Sequence, residues 1–186
     1  MPLAGARATV LTIPRTMRLA TALLPLLALA SCAATGQPAP VQGAAEQFER
    51  LKRLEGEWVA LAGEGDAPAG TLVRYHVTSG GTALVETVFC GTPHEMSTVY
   101  YLDNGALALV HYCLGNQPRM LARESAEPDV VRFEFAGGAN IGSSTSHMHA
   151  AELRFTSDAR LDTRWTQWKD GRAAGDVRLA LVRSWK

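Results

Sequence analysis

From Gly56 onward, apolar and polar residues alternate with a period of two. Thr71, Val73, Tyr75 and Val77 alternate with Leu72, Arg74 and His76; Ala83, Val85, Thr87 and Phe89 with Leu84, Glu86 and Val88; Val131, Phe133 and Phe135 with Arg132 and Glu134. Leu161, Thr163 and Trp165 alternate with Asp162 and Arg164, and Val177, Leu179 and Leu181 with Arg178 and Ala180. Successive side chains of a strand point to opposite faces, so this pattern describes half-buried antiparallel strands. Turn-forming clusters punctuate it at hairpin spacing, among them Ser79-Gly80-Gly81, Asp103-Asn104-Gly105 and Lys169-Asp170-Gly171. Ten strands are predicted, at roughly 56–62, 70–78, 82–90, 95–102, 106–113, 119–125, 130–136, 147–156, 160–168 and 174–184. Before them the period differs. Phe48, Leu51 and Leu54 fall at helical spacing and predict a short amphipathic helix over 44–54.

Many short strands joined by tight turns, with no helices between them, define an all-β chain. A meander of this length avoids exposed edges by closing into a single up-and-down antiparallel β-barrel. Barrels of more than about eight strands tend to enclose a cavity. A two-sheet sandwich is the competing architecture.

Gly56-Glu57-Trp58 opens the first strand directly after the helix. This resembles the Gly-x-Trp signature of lipocalins and related calycin barrels. The resemblance implies that Trp58 plugs the closed end of the barrel beneath a ligand cavity. Ten strands match the fatty-acid-binding and nitrobindin-like branches better than eight-stranded lipocalins. The nitrobindin haem site does not carry over: Ala60 and Ala62 stand where that family has glycines, and no His follows His149. The blocks Gly91-Thr92-Pro93-His94-Glu95-Met96, His111-Tyr112-Cys113, Gly115 to Met120 and His147-Met148-His149 resemble a group of small exported bacterial barrel proteins. That likeness implies a fold and brings no substrate.

The N-terminal region changes the picture of where the barrel works. An apolar run from Leu19 to Ala30 follows Met17-Arg18 and ends in Leu29-Ala30-Ser31-Cys32. A basic start, an apolar core and small residues before a cut form an export signal. The terminal Cys makes it resemble the bacterial lipoprotein signal, which implies cleavage before Cys32 and acylation of its thiol. Two or three acyl chains, at about 0.8 kcal/mol per buried CH₂, anchor a protein stably. Residues 1–31 are thus expected to be an upstream extension and signal peptide, with Met1 or Met17 as the start. Residues 32–43, small and Pro-containing, are a flexible tether, and 44–186 are the lipocalin-like β-barrel domain. Ala33 after the Cys resembles outer-membrane sorting. The expected location is the bacterial cell envelope, with the domain facing the periplasm or the cell surface.

Charge narrows the partners. The chain holds 18 basic and 18 acidic residues, and removal of Arg7, Arg15 and Arg18 leaves 15 basic against the same 18 acidic. A nucleic-acid binder needs a basic face, so nucleic acid is excluded as a partner. The expected partners are the membrane, through the lipid, and a small molecule.

Candidate chemistry gathers at one end. With Trp58 at the bottom, an up-and-down meander brings His94, His111, His147 and His149 to the top. Alternation groups His147 and His149 with Ala151, Leu153 and Phe155, which predicts that both point inward. His111 and Cys113 share parity with Leu107 and Leu109. The expected function is binding of a small, mainly apolar ligand in the lumen, with His94, Glu95, His111, Asn116, Gln117, His147 and His149 at the rim. Tyr75, Phe133, Phe135 and Trp165 are expected as walls. No resident cofactor is expected. The alternative is a metal or haem site for zinc, copper or haem, with His111, His147, His149 and Cys113 as candidate metal ligands. A His-dependent enzyme is a further alternative, although no Gly-x-Ser-x-Gly elbow, Walker loop or dinucleotide fingerprint occurs. A barrel filled by its own side chains, serving structure or assembly, is the last. Cys90 and Cys113 end strands separated by a third, roughly 9–10 Å apart. A disulfide needs Cα atoms within about 7 Å, so both thiols are expected to be reduced.

Overall fold

The computed structural model describes residues 43–184. The predicted lipidation at Cys32, the leader and all of the tether but Gly43 lie outside them. A helix, α1 (Ala44–Lys52), precedes ten strands: β1 (Gly56–Gly65), β2 (Leu72–Thr78), β3 (Ala83–Val88), β4 (Met96–Asp103), β5 (Ala106–Tyr112), β6 (Gln117–Arg123), β7 (Val130–Ala139), β8 (His147–Ser157), β9 (Arg160–Lys169) and β10 (Arg172–Arg183). Each strand pairs antiparallel with its sequence neighbours, and β1 pairs with β10 to close a barrel. The expected barrel is therefore observed and the sandwich is not. A short 3₁₀ turn, Ser79–Gly81, replaces the plain turn between β2 and β3.

Helix α1 closes the bottom. Its buried face, Phe48 and Leu51, lies against β4 and β5. Arg50 donates to the Pro128 carbonyl at 2.6 Å, which fixes the helix to the β6–β7 turn.

Trp58 sits at the seam where the barrel closes. Only 1% of its surface is exposed. Its indole N–H donates to the Leu54 carbonyl at 2.8 Å, just past the helix, and its ring meets Tyr75 edge-on. The Arg183 guanidinium lies 4.5 Å from the Trp58 ring centroid, a cation–π contact across the β1–β10 pair. The same guanidinium donates to the carbonyls of Arg53 and Glu55, each at 2.7 Å. Gly56 makes room for it: φ is +124°, and a Cβ there would stand 3.2 Å from Arg183 Nη1.

Cys90 and Cys113 are free thiols, as the strand order requires.

Trp58→Ala should cost roughly 3–5 kcal/mol of unfolding free energy, read from urea titration. A loss under about 1 kcal/mol would mean that the seam does not depend on this side chain.

Candidate functional site

The lumen holds a chain of polar groups among apolar walls. Glu86 shares a face with Leu84 and Val88 and is 4% exposed. Tyr75 donates to its Oε1 at 3.2 Å and Tyr100 to its Oε2 at 2.6 Å. The Thr98 hydroxyl also acts on this carboxylate. Burial pushes the Glu86 carboxyl above its usual range, and the three hydroxyls oppose that shift.

Thr98 passes the chain to His111. β4 and β5 pair Thr98 with His111, and Thr98 Oγ1 stands 2.9 Å from His111 Nδ1. When the Thr98 hydroxyl donates towards the Glu86 carboxylate it accepts from Nδ1–H, and in that tautomer Nε2 carries the lone pair. His111 is 3% exposed, and its buried Nε2 has no hydrogen-bond partner in the protein. Trp165 covers the ring, with centroids 4.8 Å apart. Burial lowers the His111 pKa to about 4, so the imidazole is neutral near pH 7.

His111 faces a cavity of about 30 Å³ in the upper lumen, walled by Val88, Phe89, Met96, Met148 and Trp165. About 10–15 Å³ accommodates one water, so this space takes one or two water-sized groups. By volume, the lumen comes close to the filled barrel. Its mouth is built from adaptable parts. Met96 and Met148 are flexible thioethers. Phe89 directly follows β3 with φ at +58°, a left-handed conformation that a bulky residue adopts only under constraint.

His147 and His149 do not join this cavity. A register shift between Met148 and Ala150 adds one residue to β8 and breaks the alternation. It corrects the inward placement expected for both His residues: Met148 turns to the lumen in their stead. His149 stacks on Trp168 at 4.2 Å, on the face of β9 opposite Trp165, and on Phe135 at 4.8 Å. Together they line a separate groove of about 400 Å³ at the upper rim, beneath the 137–146 loop. Gly138 lets β7 bend tightly over β6 there, since a Cβ would fall 2.4 Å from the Gln117 carbonyl. His147 Nδ1 lies 2.9 Å from the Thr145 carbonyl, which only a donor satisfies, and its Nε2 lies 3.0 Å from His149 Nδ1. Burial and then repulsion from His147 lower the His149 pKa.

The other predicted rim residues tie loops together. Asn116 donates to the Ser146 carbonyl at 2.9 Å, and Gln117 accepts from Asn140 at 3.1 Å, joining the β5–β6 and β7–β8 loops. His94 and Glu95 are exposed in the β3–β4 loop, where the Gly91 N–H donates to Glu95 at 2.7 Å. Of the predicted walls, Trp165 lines the lumen cavity and Tyr75 holds Glu86. Phe133 packs on Tyr100 in the core, and Phe135 belongs to the rim groove. The four predicted metal ligands are thus divided: His111 and Cys113 on or just beyond β5, His147 and His149 at the rim. Among the described residues no three His, Cys, Asp or Glu side chains converge as a metal cage. Sequence reading missed Glu86, Thr98, Tyr100, Met96 and Met148. The signal for Glu86 was present, since a carboxylate in register with Leu84 and Val88 lies on a buried face.

Comparison with protein-family models and with curated proteins finds no match. The site stands on its own geometry.

The His111 pKa makes stability depend on acid. The native state binds fewer protons than the unfolded chain between pH 6.5 and about 4, so its stability declines as pH falls through that window. The gap corresponds to roughly 3 kcal/mol. Wild type should therefore lose about that much more stability than His111→Gln between pH 7 and 4 in matched urea titrations. Parallel curves for the two proteins would show that His111 is not buried as a neutral imidazole.

Proposed function

We propose that this chain is a lipid-anchored protein of the bacterial cell envelope whose calycin-type barrel holds a small ligand in the upper lumen, against His111. The observation that carries this reading is the unpartnered Nε2 of a buried imidazole facing a cavity with apolar walls. An unsatisfied buried donor or acceptor costs about 1–3 kcal/mol, a penalty that a ligand group of complementary polarity removes; in the tautomer with the Nε2 lone pair that group is a donor or a Lewis acid. A barrel filled only for structure gains nothing from that group. The Glu86–Thr98–His111 chain fixes the imidazole in place and orients its lone pair, as binding sites require.

Cavity size limits the ligand. Organic ligands occupy roughly 300–1,000 Å³. A mainly apolar organic molecule enters only if Phe89, Met96 and Met148 move aside. An ion or a very small molecule needs no such movement. Envelope location is supported by Leu29-Ala30-Ser31-Cys32 after an apolar run, and by Ala33 for the outer membrane. Among the described residues no helix is long and apolar enough to cross a membrane.

Two measurements test this. Cys32→Ala should release the protein from the membrane fraction and abolish acyl labelling; a variant that stays membrane-bound would refute the lipid anchor. Full-length protein taken from its native membrane in detergent should show one small bound mass or metal per chain by native mass spectrometry with metal analysis. His111→Gln should lose that species, and His147→Ala with His149→Ala should keep it. A bare polypeptide mass in the wild type would favour the filled barrel.

A further inference from the structure

Two thioethers, Met96 and Met148, line the same lumen cavity of about 30 Å³ as the unpartnered Nε2 of His111. Met96 and Cys113 are neighbours across the β4–β5 end, with Cys113 Sγ 3.5 Å from Met96 Sδ. Two sulfurs bound to one metal at ~2.3 Å each stand roughly 3.5–4 Å apart, so the observed spacing already suits a shared ion. We propose that the upper lumen is a site for a single Cu(I) ion, with His111 Nε2, Met96 Sδ, Met148 Sδ and Cys113 Sγ as its donors. This rests on the reading of the lumen as the ligand site and names the ligand class.

Donor chemistry selects the metal. Thioethers are soft donors and favour Cu(I). Zinc takes thiolates, imidazoles and carboxylates, usually four, and only His111 and Cys113 are of that kind here. Glu86 also borders the cavity, but Tyr75 and Tyr100 occupy its two oxygens. Metal-bound imidazoles characteristically donate their other N–H to an orienting partner, which is the role of Thr98 and, behind it, Glu86. The cavity has room for one ion, and Cys113, which stands outside its lining, reaches it through the side of Met96. Binding is a proton-for-metal exchange: the Cys113 S–H bond breaks, a Cu–S bond forms, the proton goes to solvent, and copper stays Cu(I). A thiolate with a monovalent cation adds no net charge to the apolar cavity.

Anaerobic titration of the full-length protein in detergent, with Cu(I) supplied as its bicinchoninate complex, tests the site. One Cu(I) per chain should transfer to the protein. Thr98→Val should weaken transfer by roughly 10–100-fold, as loss of an orienting partner does. Met96→Leu with Met148→Leu, a swap that cores tolerate, should weaken it further while the circular-dichroism melt stays cooperative. Cys90→Ser should change nothing. Copper left wholly on the chelator, copper held equally well by the double Met variant, or copper lost in Cys90→Ser would each overturn the proposal. If copper stays on the chelator while native protein carries an organic mass that His111→Gln loses, the lumen remains the ligand site and only its metal is wrong. If copper stays on the chelator and the native protein is bare, both readings fall.

Discussion

Pairing of β1 with β10 is the constraint on which the rest depends. An open ten-strand meander leaves two edges of unpaired backbone groups, each a template for association with another chain. Closing the sheet removes both edges and creates an inside. The seam is secured where Trp58 faces Arg183: the guanidinium lies on the indole and reaches back to the carbonyls of Arg53 and Glu55. One arginine thus joins the last strand, the first strand and the end of the helix. The barrel bottom is fixed by the same contacts that close its wall.

An inside makes every inward polar group a problem that the barrel must solve. Glu86 is the sharpest case, because a buried carboxylate without partners costs several kcal/mol. Tyr75 and Tyr100 reach it from opposite sides, and Thr98 extends the chain to His111. The chain is satisfied at every link except its last atom. That atom, His111 Nε2, lies where the wall carries flexible thioethers and a backbone held at positive φ at Phe89. The inward polar chain thus ends in an unpartnered nitrogen at the more adaptable end of the barrel.

The upper rim follows a different logic. Asn116 and Gln117 spend their hydrogen bonds on the neighbouring β7–β8 loop, and Glu95 on Gly91 of its own loop. His149 is held between Phe135 and Trp168, and His147 rests on Phe135, oriented by the Thr145 carbonyl. The rim is a stapled collar and is chemically separate from the lumen. Side chains close in sequence therefore serve distinct places: Met148 looks into the barrel while its two His neighbours lie in the rim groove.

The sequence by itself determined the fold. Alternation with a period of two and turn signals at hairpin spacing located all ten strands within a few residues, because those signals are local. The antiparallel order and the unpaired thiols of Cys90 and Cys113 followed from it. Lumen membership of His111 and Trp165 was also legible, since β5 and β9 keep regular alternation through those positions. Only the tertiary structure decided the rest. One extra residue in β8 reversed the facing of His147 and His149, and a register shift is set by the partner strand rather than by composition. Glu86, Tyr100 and Thr98 became a site only when β2, β3, β4 and β5 lay side by side and their hydroxyls met one carboxylate. The thioethers of Met96 and Met148 are far apart in the chain, and barrel closure alone brings them to the same cavity as His111.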